Sequence, residues 1–570
     1  MEPQPLSSPP QAIAVAVPPA AGASWRAALA LAPQFVALAI LIVTEPDTIS
    51  RVAFLLSWVA ANLFLIALTR RPAISGGIAL AMLTVLILLS RLKWDVVSMT
   101  VNFVDVMMID RASAAYLFTI FPDLWRPVAI AAVVALSLSY LLWRFDPFRI
   151  RRRHAAAAGV LATAGLVALS LTWPFDPWEG FLPNGYLSKF ARSGVNSVAD
   201  FAQFGFLESD RLVADRLVIP LEEACHPAGR RPHIVMIHDE SSFDIRSAPG
   251  IKVPANYGDH FRSFDGKQRK FVVEGNGGPS WFTEYNVLAG LSSRSFGRFS
   301  YFVTKIASGR VERGLPMALR RCGYHTVSLY PAAGAFMGAH GFQTTTGVER
   351  FLDARKLGAR GIEPDGFYYD RALKEIAAEK DRAPVFMFVY LAANHFPWDG
   401  RFRPDLMTEW RDPGNLRHVD EYLRRQTMSA HDYRNFVEQL KKQFPGEPFL
   451  IVRFGDHQPD FSTAILEPGI DDAALARKLN DYDPRYFTTY YALDTINFKP
   501  VRMTSALPTV DAAYLPIIVQ DVAGIPLDPT FVEQKKIMLR CNGLFYACRD
   551  GAEARRLNRM LIEAGFIKDL

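Results

Sequence analysis

The sequence predicts a two-part chain of class α/β: five N-terminal transmembrane helices, then an extracytoplasmic domain with a mostly parallel sheet covered by helices. Three observations predict it. The chain up to Trp173 holds long uncharged apolar runs, whereas the remainder is patterned like a water-soluble protein. From about Pro232, short apolar runs alternate with helix-like segments, the pattern of a sheet covered on both faces. Four of those runs are followed at once by polar clusters. Half of the 570 residues are hydrophobic and 21% are charged, against roughly 25% in an average soluble domain. Intrinsic disorder, a coiled coil and a small disulfide scaffold are excluded as the main architecture. The net charge of +6 does not argue for nucleic acid, because many basic residues flank apolar segments where membrane topology explains them.

Residues 1–24 are rich in Pro and Ala and lack the basic start and short apolar core of a cleavable signal peptide, so a disordered cytoplasmic tail is expected. A membrane domain is expected over 25–173. A span needs about 20 mostly apolar residues, and Ala27–Thr44, Val52–Thr69, Ala73–Leu89, Pro127–Trp143 and Ala155–Thr172 each supply an uncharged run of roughly that order. Buried helices of a soluble protein usually show a polar stripe, which these lack. Arg26, Arg70, Arg71, Arg144, Arg149, Arg151, Arg152 and Arg153 all fall on one side if the N-terminus is cytoplasmic. Five spans then place everything after Thr172 outside the cytoplasm, as in a multi-pass protein of a bacterial inner membrane.

A linker is expected over 174–230. Trp173, Phe175, Trp178 and Phe181 suit the headgroup zone, and Tyr186, Phe190, Val195, Val198, Phe201 and Phe204 recur at helical spacing. That helix lies either in the membrane interface or against the outer domain. All four cysteines, Cys225, Cys322, Cys541 and Cys548, fall on the outer side. They allow three connectivities. Cys541 with Cys548 is the easiest loop to close, leaving Cys225 with Cys322; four free buried thiols is the other reading.

In the outer domain, 231–570, the runs Ile234–Ile237, Phe271–Val273, Thr326–Tyr330, Val385–Leu391 and Phe449–Val452 read as buried strands, with helices such as Thr283–Leu291 and Tyr422–Phe444 between them. Ligand sites in such sheets form beyond the carboxyl ends of the strands. Just past four strands come Glu240, the glycine-rich turn that ends in Ser280, the pair Asn394-His395, and Asp456-His457. Two carboxylates and an imidazole suit Zn²⁺ or Mn²⁺ more than Mg²⁺, and they lack the thiolates of a structural zinc site. Ser280 opens a helix, where an anion such as phosphate is favoured, and a divalent ion beside its hydroxyl would activate it. His395 is placed to bind phosphoryl oxygens or to protonate a leaving group. Singly, Glu240 reads as a helix-capping acid, Ser280 as an N-cap, His395 as a structural histidine and Gly-Asp-His as a tight turn. Their joint placement marks a site.

At these residues the chain resembles the sulfatase-like, alkaline-phosphatase-superfamily transferases of bacterial envelopes, especially the lipoteichoic acid synthase and phosphoglycerol transferase branch. The resemblance rests on His233-Ile-Val-Met-Ile-His-Asp-Glu240-Ser, Gly277-Gly-Pro-Ser280-Trp-Phe-Thr-Glu284, Asn394-His395-Phe-Pro and Phe454-Gly-Asp456-His457. It implies metal ligation by Glu240, Asp456 and His457, with Ser280 as the nucleophile at the metal. It also implies a substrate-binding His395. The branch usually has threonine at position 280, and serine keeps the hydroxyl; Thr283 is a rival nucleophile whose spacing to Glu284 fits less well. Ala339 or His340 stands where relatives carry a headgroup-binding arginine, which makes His340, with Trp398 beyond the Asn394-His395 segment, a candidate for substrate contact. Formylglycine-dependent sulfatases need a Cys/Ser-x-Pro-x-Arg continuation that Ser280 lacks. Phosphoethanolamine transferases of lipid A usually carry more cysteines, and the run from Glu284 to Leu291 looks more like the phosphoglycerol branch.

The expected activity is metal-dependent transfer of a phospholipid headgroup, phosphoglycerol first, through a phosphoseryl intermediate to an extracytoplasmic glycan. A phosphoethanolamine transferase, a phosphodiesterase or sulfuric-ester hydrolase with the same site, and a non-catalytic glycan- or lipid-binding protein are the alternatives. The partners expected are a membrane phospholipid and a glycan, with no nucleic acid.

Overall fold

A computed structural model of the chain describes residues 22–97, 99–109, 125–213, 216–217, 225–227 and 229–570. The chain forms two compact units, the first drawn from Met1–Met107 and Phe121–Asn196 and the second chiefly from Ser197–Leu570.

In the first unit, helices occupy Gly22–Thr44, Thr48–Thr69, Pro72–Val97, Trp125–Phe145 and Arg152–Thr172, so every apolar run is helical. The tail expected over 1–24 lies outside the described residues as far as residue 21, and the first helix already begins at Gly22. Thr48–Thr69, Pro72–Asp95, Val128–Phe145 and Arg152–Thr172 are long and apolar enough to cross a membrane; the first helix adds the shorter apolar stretch Leu31–Thr44. Among the described residues, four of the five expected spans are therefore long and apolar enough for a crossing. No residue of Val128–Phe145 is fully buried, an exposure that suits lipid and is disfavoured in water. Arg152–Thr172 packs along Thr48–Thr69 through Ala155, Gly159, Ala162 and Leu166. A Cβ on Gly159 would stand 3.4 Å from Leu63, the close approach that small residues allow between membrane helices. Polar glue joins the helices too, with Trp58 Nε1 donating to Gln34 Oε1 at 2.7 Å and Gln34 Nε2 to Asn62 Oδ1 at 3.2 Å.

The expected linker contains a helix at Tyr186–Phe204, whose later part exposes Val198, Phe201 and Phe204. Residues 214–215, 218–224 and 228 of the linker lie outside the described residues.

The second unit is built on one eight-stranded sheet: β1 His233–Asp239, β2 Arg269–Val272, β3 His325–Leu329, β4 Arg350–Leu352, β5 Val385–Tyr390, β6 Phe449–Gly455, β7 Thr488–Ile496 and β8 Thr509–Asp511. Their order is β4-β3-β5-β1-β6-β7-β2-β8. All neighbours are parallel except β7, which runs antiparallel to both β6 and β2. Two reversals restore direction, so β1, β2, β5 and β6 all end at the same edge. The five strands expected from continuous apolar runs are present. β4 and β8 have three residues each, and β7 is a mixed Thr-Thr-Tyr-Tyr-Ala-Leu-Asp-Thr-Ile segment; none of the three offers such a run. The expected helices appear at Ser280–Ala289 and Arg417–Gln443. One face of the sheet, through Val235, Ile237, Met387, Val389 and Ile451, is covered by the helices Asp365–Glu379 and Arg417–Gln443.

Both disulfides form in the pairing that the easiest loop closure implied: Cys541 with Cys548, and Cys225 with Cys322. The second closes a sequence separation of 97 residues. A loop of that size restricts the unfolded chain strongly, with typical stabilisation of roughly 2–5 kcal/mol. Cys322→Ser is expected to lower stability by about that amount, read by denaturant unfolding of the full chain in detergent with and without reductant.

Candidate active site

Four loops leave the shared edge of the sheet and converge. β1 ends at Asp239 and delivers Glu240 directly. β6 ends at Gly455, where a Cβ would overlap the Ser242 carbonyl, so only glycine lets the two loops cross this closely. Asp456 and His457 follow. After β2 the chain passes through Gly277 and Gly278, both at positive φ, and enters the helix Ser280–Ala289 with Ser280 as its first residue. Gly277 N donates to Gln458 O at 3.0 Å, which ties this turn to the β6 loop.

Glu240, Asp456 and His457 are all buried, and one ligand atom from each lies within 4.8 Å of the others. Ser280 Oγ stands 3.1 Å from His457 Nε2 and 3.3 Å from Glu240 Oε2. His457 Nε2 is 3.5 Å from Glu240 Oε1 and 3.4 Å from Asp456 Oδ2, while its Nδ1 faces Gln458 O at 2.8 Å. That contact fixes the proton on Nδ1 when the ring is neutral, leaving Nε2 as the lone-pair atom that faces the cluster. Asp456 Oδ1 accepts from the backbone N–H groups of Ser241 and His457, at 2.7 and 2.8 Å. Its Oδ2 has no hydrogen-bond partner among the described residues. His238 Nε2 approaches that oxygen at 3.1 Å but out of line for a hydrogen bond.

Two buried carboxylates with no Lys or Arg beside them among the described residues require a compensating charge. Burial works against the Asp456 carboxylate, yet the His457 and then the His238 rings outweigh it and hold its pKa below the usual range. Burial likewise pulls the His457 imidazolium down, but Asp456 and then Glu240 prevail and hold it up at about 9. A proton on His457 thus answers the negative charge near neutral pH. A divalent cation fits the same place: two hard oxygen donors, one imidazole, and a buried carboxylate oxygen left without a donor.

The rival hydroxyl is committed elsewhere. Thr283 Oγ1 donates to Asp456 O at 2.6 Å and fastens the helix to the β6 loop. Glu284 on the same helix is fully buried, and Gln343 Nε2 donates to its Oε1 at 2.9 Å. Burial raises Glu284 to about 8, with the Gln343 hydrogen bond offsetting a part. His395 lies half-buried after β5, with Nδ1 facing Phe396 O at 2.8 Å and the ring stacked on Phe396. Its loop is tied to the β1 loop by Asn394 Nδ2 donating to Gln426 Oε1 and Gln426 Nε2 to Ser242 Oγ, at 3.1 and 2.9 Å. Of the two further candidates, Trp398 is buried against Tyr422 and Phe461. His340 is exposed, with its ring edge on Phe351. Neither makes a recorded contact with the Glu240–Ser280–Asp456–His457 cluster among the described residues. Three contributors escaped the sequence: the buried His238, and Thr283 and Gln458 as fasteners. His238 stands in β1 two residues before Glu240, and this nearness in sequence was the available signal.

A hydroxyl set beside a buried cluster of two carboxylates and one imidazole that could hold a cation, at the carboxyl edge of an open α/β sheet, is an arrangement able to cleave or transfer esters. Residues 283–483 match the model of the Sulfatase family, a stretch that includes His395, Asp456 and His457. An uncharacterized protein of Haemophilus influenzae is 22% identical over 281 residues, 46% of this chain and 48% of the relative. The chain thus spans about half the length of this curated relative. Among solved structures, the chain is similar to the Streptococcus pyogenes phosphoglycerol transferase GacH in complex with sn-glycerol-1-phosphate (14% identity, 59% of this chain and 85% of that one, TM-score 0.45). It is similar also to the lipooligosaccharide phosphoethanolamine transferase EptA of Neisseria meningitidis (11%, 90% and 98%, 0.45). A third is the lipoteichoic acid synthase LtaP of Listeria monocytogenes (14%, 52% and 73%, 0.40).

Two outcomes follow from the charge balance. Because His457 holds its proton up to about 9, a cation must displace that proton to bind. Apparent Mn²⁺ or Zn²⁺ affinity is expected to rise about tenfold per pH unit from neutrality towards that value, with proton release seen by calorimetry in buffers of different ionisation enthalpy. His457→Ala is expected to abolish the release. Separately, Glu284 has a folded pKa of about 8 above its unfolded value. Its contribution to stability is therefore complete at acid pH and is lost as pH rises through that folded value. Glu284→Gln is expected to flatten the decline in Tm between about pH 4.5 and 8.

Proposed function

We propose that this protein is a membrane-anchored, metal-dependent phosphotransferase that moves a phospholipid headgroup, phosphoglycerol first, onto an extracytoplasmic glycan. The observation that carries the reading is Ser280 Oγ, 3.1 Å from His457 and 3.3 Å from Glu240 within one buried ligand cluster. Glu240, Asp456 and His457 would hold a single Mn²⁺ or Zn²⁺. Bound there, the ion supplies positive charge that favours ionisation of a neighbouring hydroxyl and offsets charge on phosphoryl oxygens.

Ser280 Oγ, having lost its proton to solvent, attacks the phosphorus of the lipid phosphodiester. The new O–P bond forms as the P–O bond to diacylglycerol breaks, and His395 gives the departing oxygen its proton. In the second half, a glycan hydroxyl attacks the phosphoseryl phosphorus and gives its proton to His395. Ser280 then leaves and regains a proton from water. The Asp456 backbone hydrogen bonds and the Thr283 fastener keep nucleophile and ligands in register.

The apolar helices serve as the anchor, which keeps the domain near a donor confined to the bilayer. Five spans with a cytoplasmic N-terminus would put the domain on the periplasmic side of a bacterial inner membrane. The pairing of all four cysteines supports an oxidising compartment.

The test is mass spectrometry of the Ser280 peptide after detergent-purified protein meets Mn²⁺ with phosphatidylglycerol or phosphatidylethanolamine. A phosphoglycerol adduct, absent from Ser280→Ala, is the expected result. A phosphoethanolamine adduct keeps the mechanism and changes the headgroup. Absence of both an adduct and diacylglycerol in metal-loaded protein would sink the transferase.

A further inference from the structure

A concavity lies between the loop that follows β1 and the long loop that joins β5 to the helix Arg417–Gln443. It is open to solvent, has a volume of about 610 Å³ and is lined by Lys252, Val253, Met407, Glu409, Trp410 and Arg411, with two prolines. That volume is inside the roughly 300–1,000 Å³ of ordinary ligand sites. Its two walls are stitched together by Asn415, which accepts from Lys252 N and donates to Lys252 O, both at 2.9 Å.

The platform in this cavity is held rigidly. Trp410 Nε1 donates to Asp412 Oδ1 at 2.8 Å, and Arg401 Nη2 clasps both oxygens of Asp412 at 2.7 and 2.6 Å. Arg401 Nη1 then donates to Glu421 Oε2 at 3.1 Å, and Arg425 Nε donates to Glu421 Oε1 at 2.8 Å. Arg425 Nη1 finally reaches His395 O at 2.7 Å. One ladder of charged hydrogen bonds therefore runs from the indole of the cavity to the backbone of the His395 loop. The indole is half-exposed with its only donor already used, so what it offers a ligand is a ring face. Lys252 and Arg411 are exposed and have no ion-pair partner among the described residues.

We infer that this cavity binds a sugar ring of an anionic glycan, stacked on Trp410, with its acidic groups held by Lys252 and Arg411. The C–H face of a pyranose carries weak positive charge and matches the negative face of an indole, and the contact removes apolar surface from water on both sides. Pinning the indole in advance removes the ordering cost of that contact. Apolar groups make up most of the lining, as a stacked sugar ring needs, and the exposed charges of Lys252 and Arg411 among them give acidic groups a partner that a lipid tail would leave unused. As the acceptor subsite of the transfer, the cavity rests on the phosphotransferase reading above; as a glycan site it stands on its own lining.

The test uses full-length protein in detergent and two probes: a hyaluronan tetrasaccharide, which alternates uronate with N-acetylhexosamine, and uncharged chitotetraose. Calorimetry and saturation-transfer NMR are expected to show tighter binding of the hyaluronan probe. Trp410→Ala should weaken both probes by about tenfold or more, and Trp410→Phe, which keeps a ring and controls for folding, by less. The double variant Lys252→Ala/Arg411→Ala, at exposed positions, should erase the preference for the charged probe. Ser280→Ala should bind both as the unaltered protein does. Binding of neither probe, or binding indifferent to Trp410→Ala, overturns the inference. Binding as expected in a protein that forms no Ser280 adduct overturns the transferase reading and leaves the glycan site standing.

Discussion

The Asp456 carboxylate stands where the ends of β1 and β6 meet, and the two oxygens have different partners. Oδ1 is held by the backbone N–H of Ser241 from one strand end and of His457 from the other. Oδ2 is thereby turned towards His457 and His238, with no hydrogen-bond donor of its own among the described residues. A charged acceptor that receives two backbone donors is worth more than a neutral one. It also fixes the register of Glu240 against His457, because Ser241 is the next residue after Glu240. The distances from Ser280 to both ligands depend on that register.

The rest of the domain is arranged to keep this cluster dry and stationary. The helix Ser280–Ala289 is buried along its whole length, so it cannot turn the nucleophile away without opening the core. Thr283 ties it to Asp456 O, and Glu284 ties it to Gln343 on the neighbouring helix Ala339–Thr345. Burial disfavours charge on Glu284, so it acts as a neutral hydrogen-bonding group at neutral pH. Trp281 packs edge-on against Phe336, which brings the segment after β3 against the same helix.

The loop after β5 is organised differently. It has few buried apolar anchors beyond Trp398, and its order comes from the arginines that the helix Arg417–Gln443 extends beneath it. Arg424 and Arg425 share Glu421, and through it Arg401. Such a network, with several members exposed only at one end, couples His395 to the outer part of the loop more firmly than isolated surface pairs would.

Much of this was legible without coordinates. Uncharged apolar runs determined the membrane helices, since a lipid environment selects length and apolarity alone. Continuous Val, Ile, Leu, Phe and Met runs determined β1, β5 and β6, because strands buried on both faces have no polar alternation to hide them. The same logic located Glu240, Ser280, Asp456 and His457 at strand ends. Periodicity could not reveal β7, where Asp494 accepts from the buried Tyr433 and Arg453 and Thr489 donates to Gly455 O, nor the three-residue strands β4 and β8. Nor could it distinguish Ser280 from Thr283, three residues apart on one helix face: only the folded chain turns one hydroxyl to Glu240 and the other to a carbonyl. The role of His238 and the ladder from Trp410 to His395 also belong to the tertiary structure. Each depends on contacts between residues distant in the chain, and their geometry is set by how strands and loops cross and not by the spacing of residues along them.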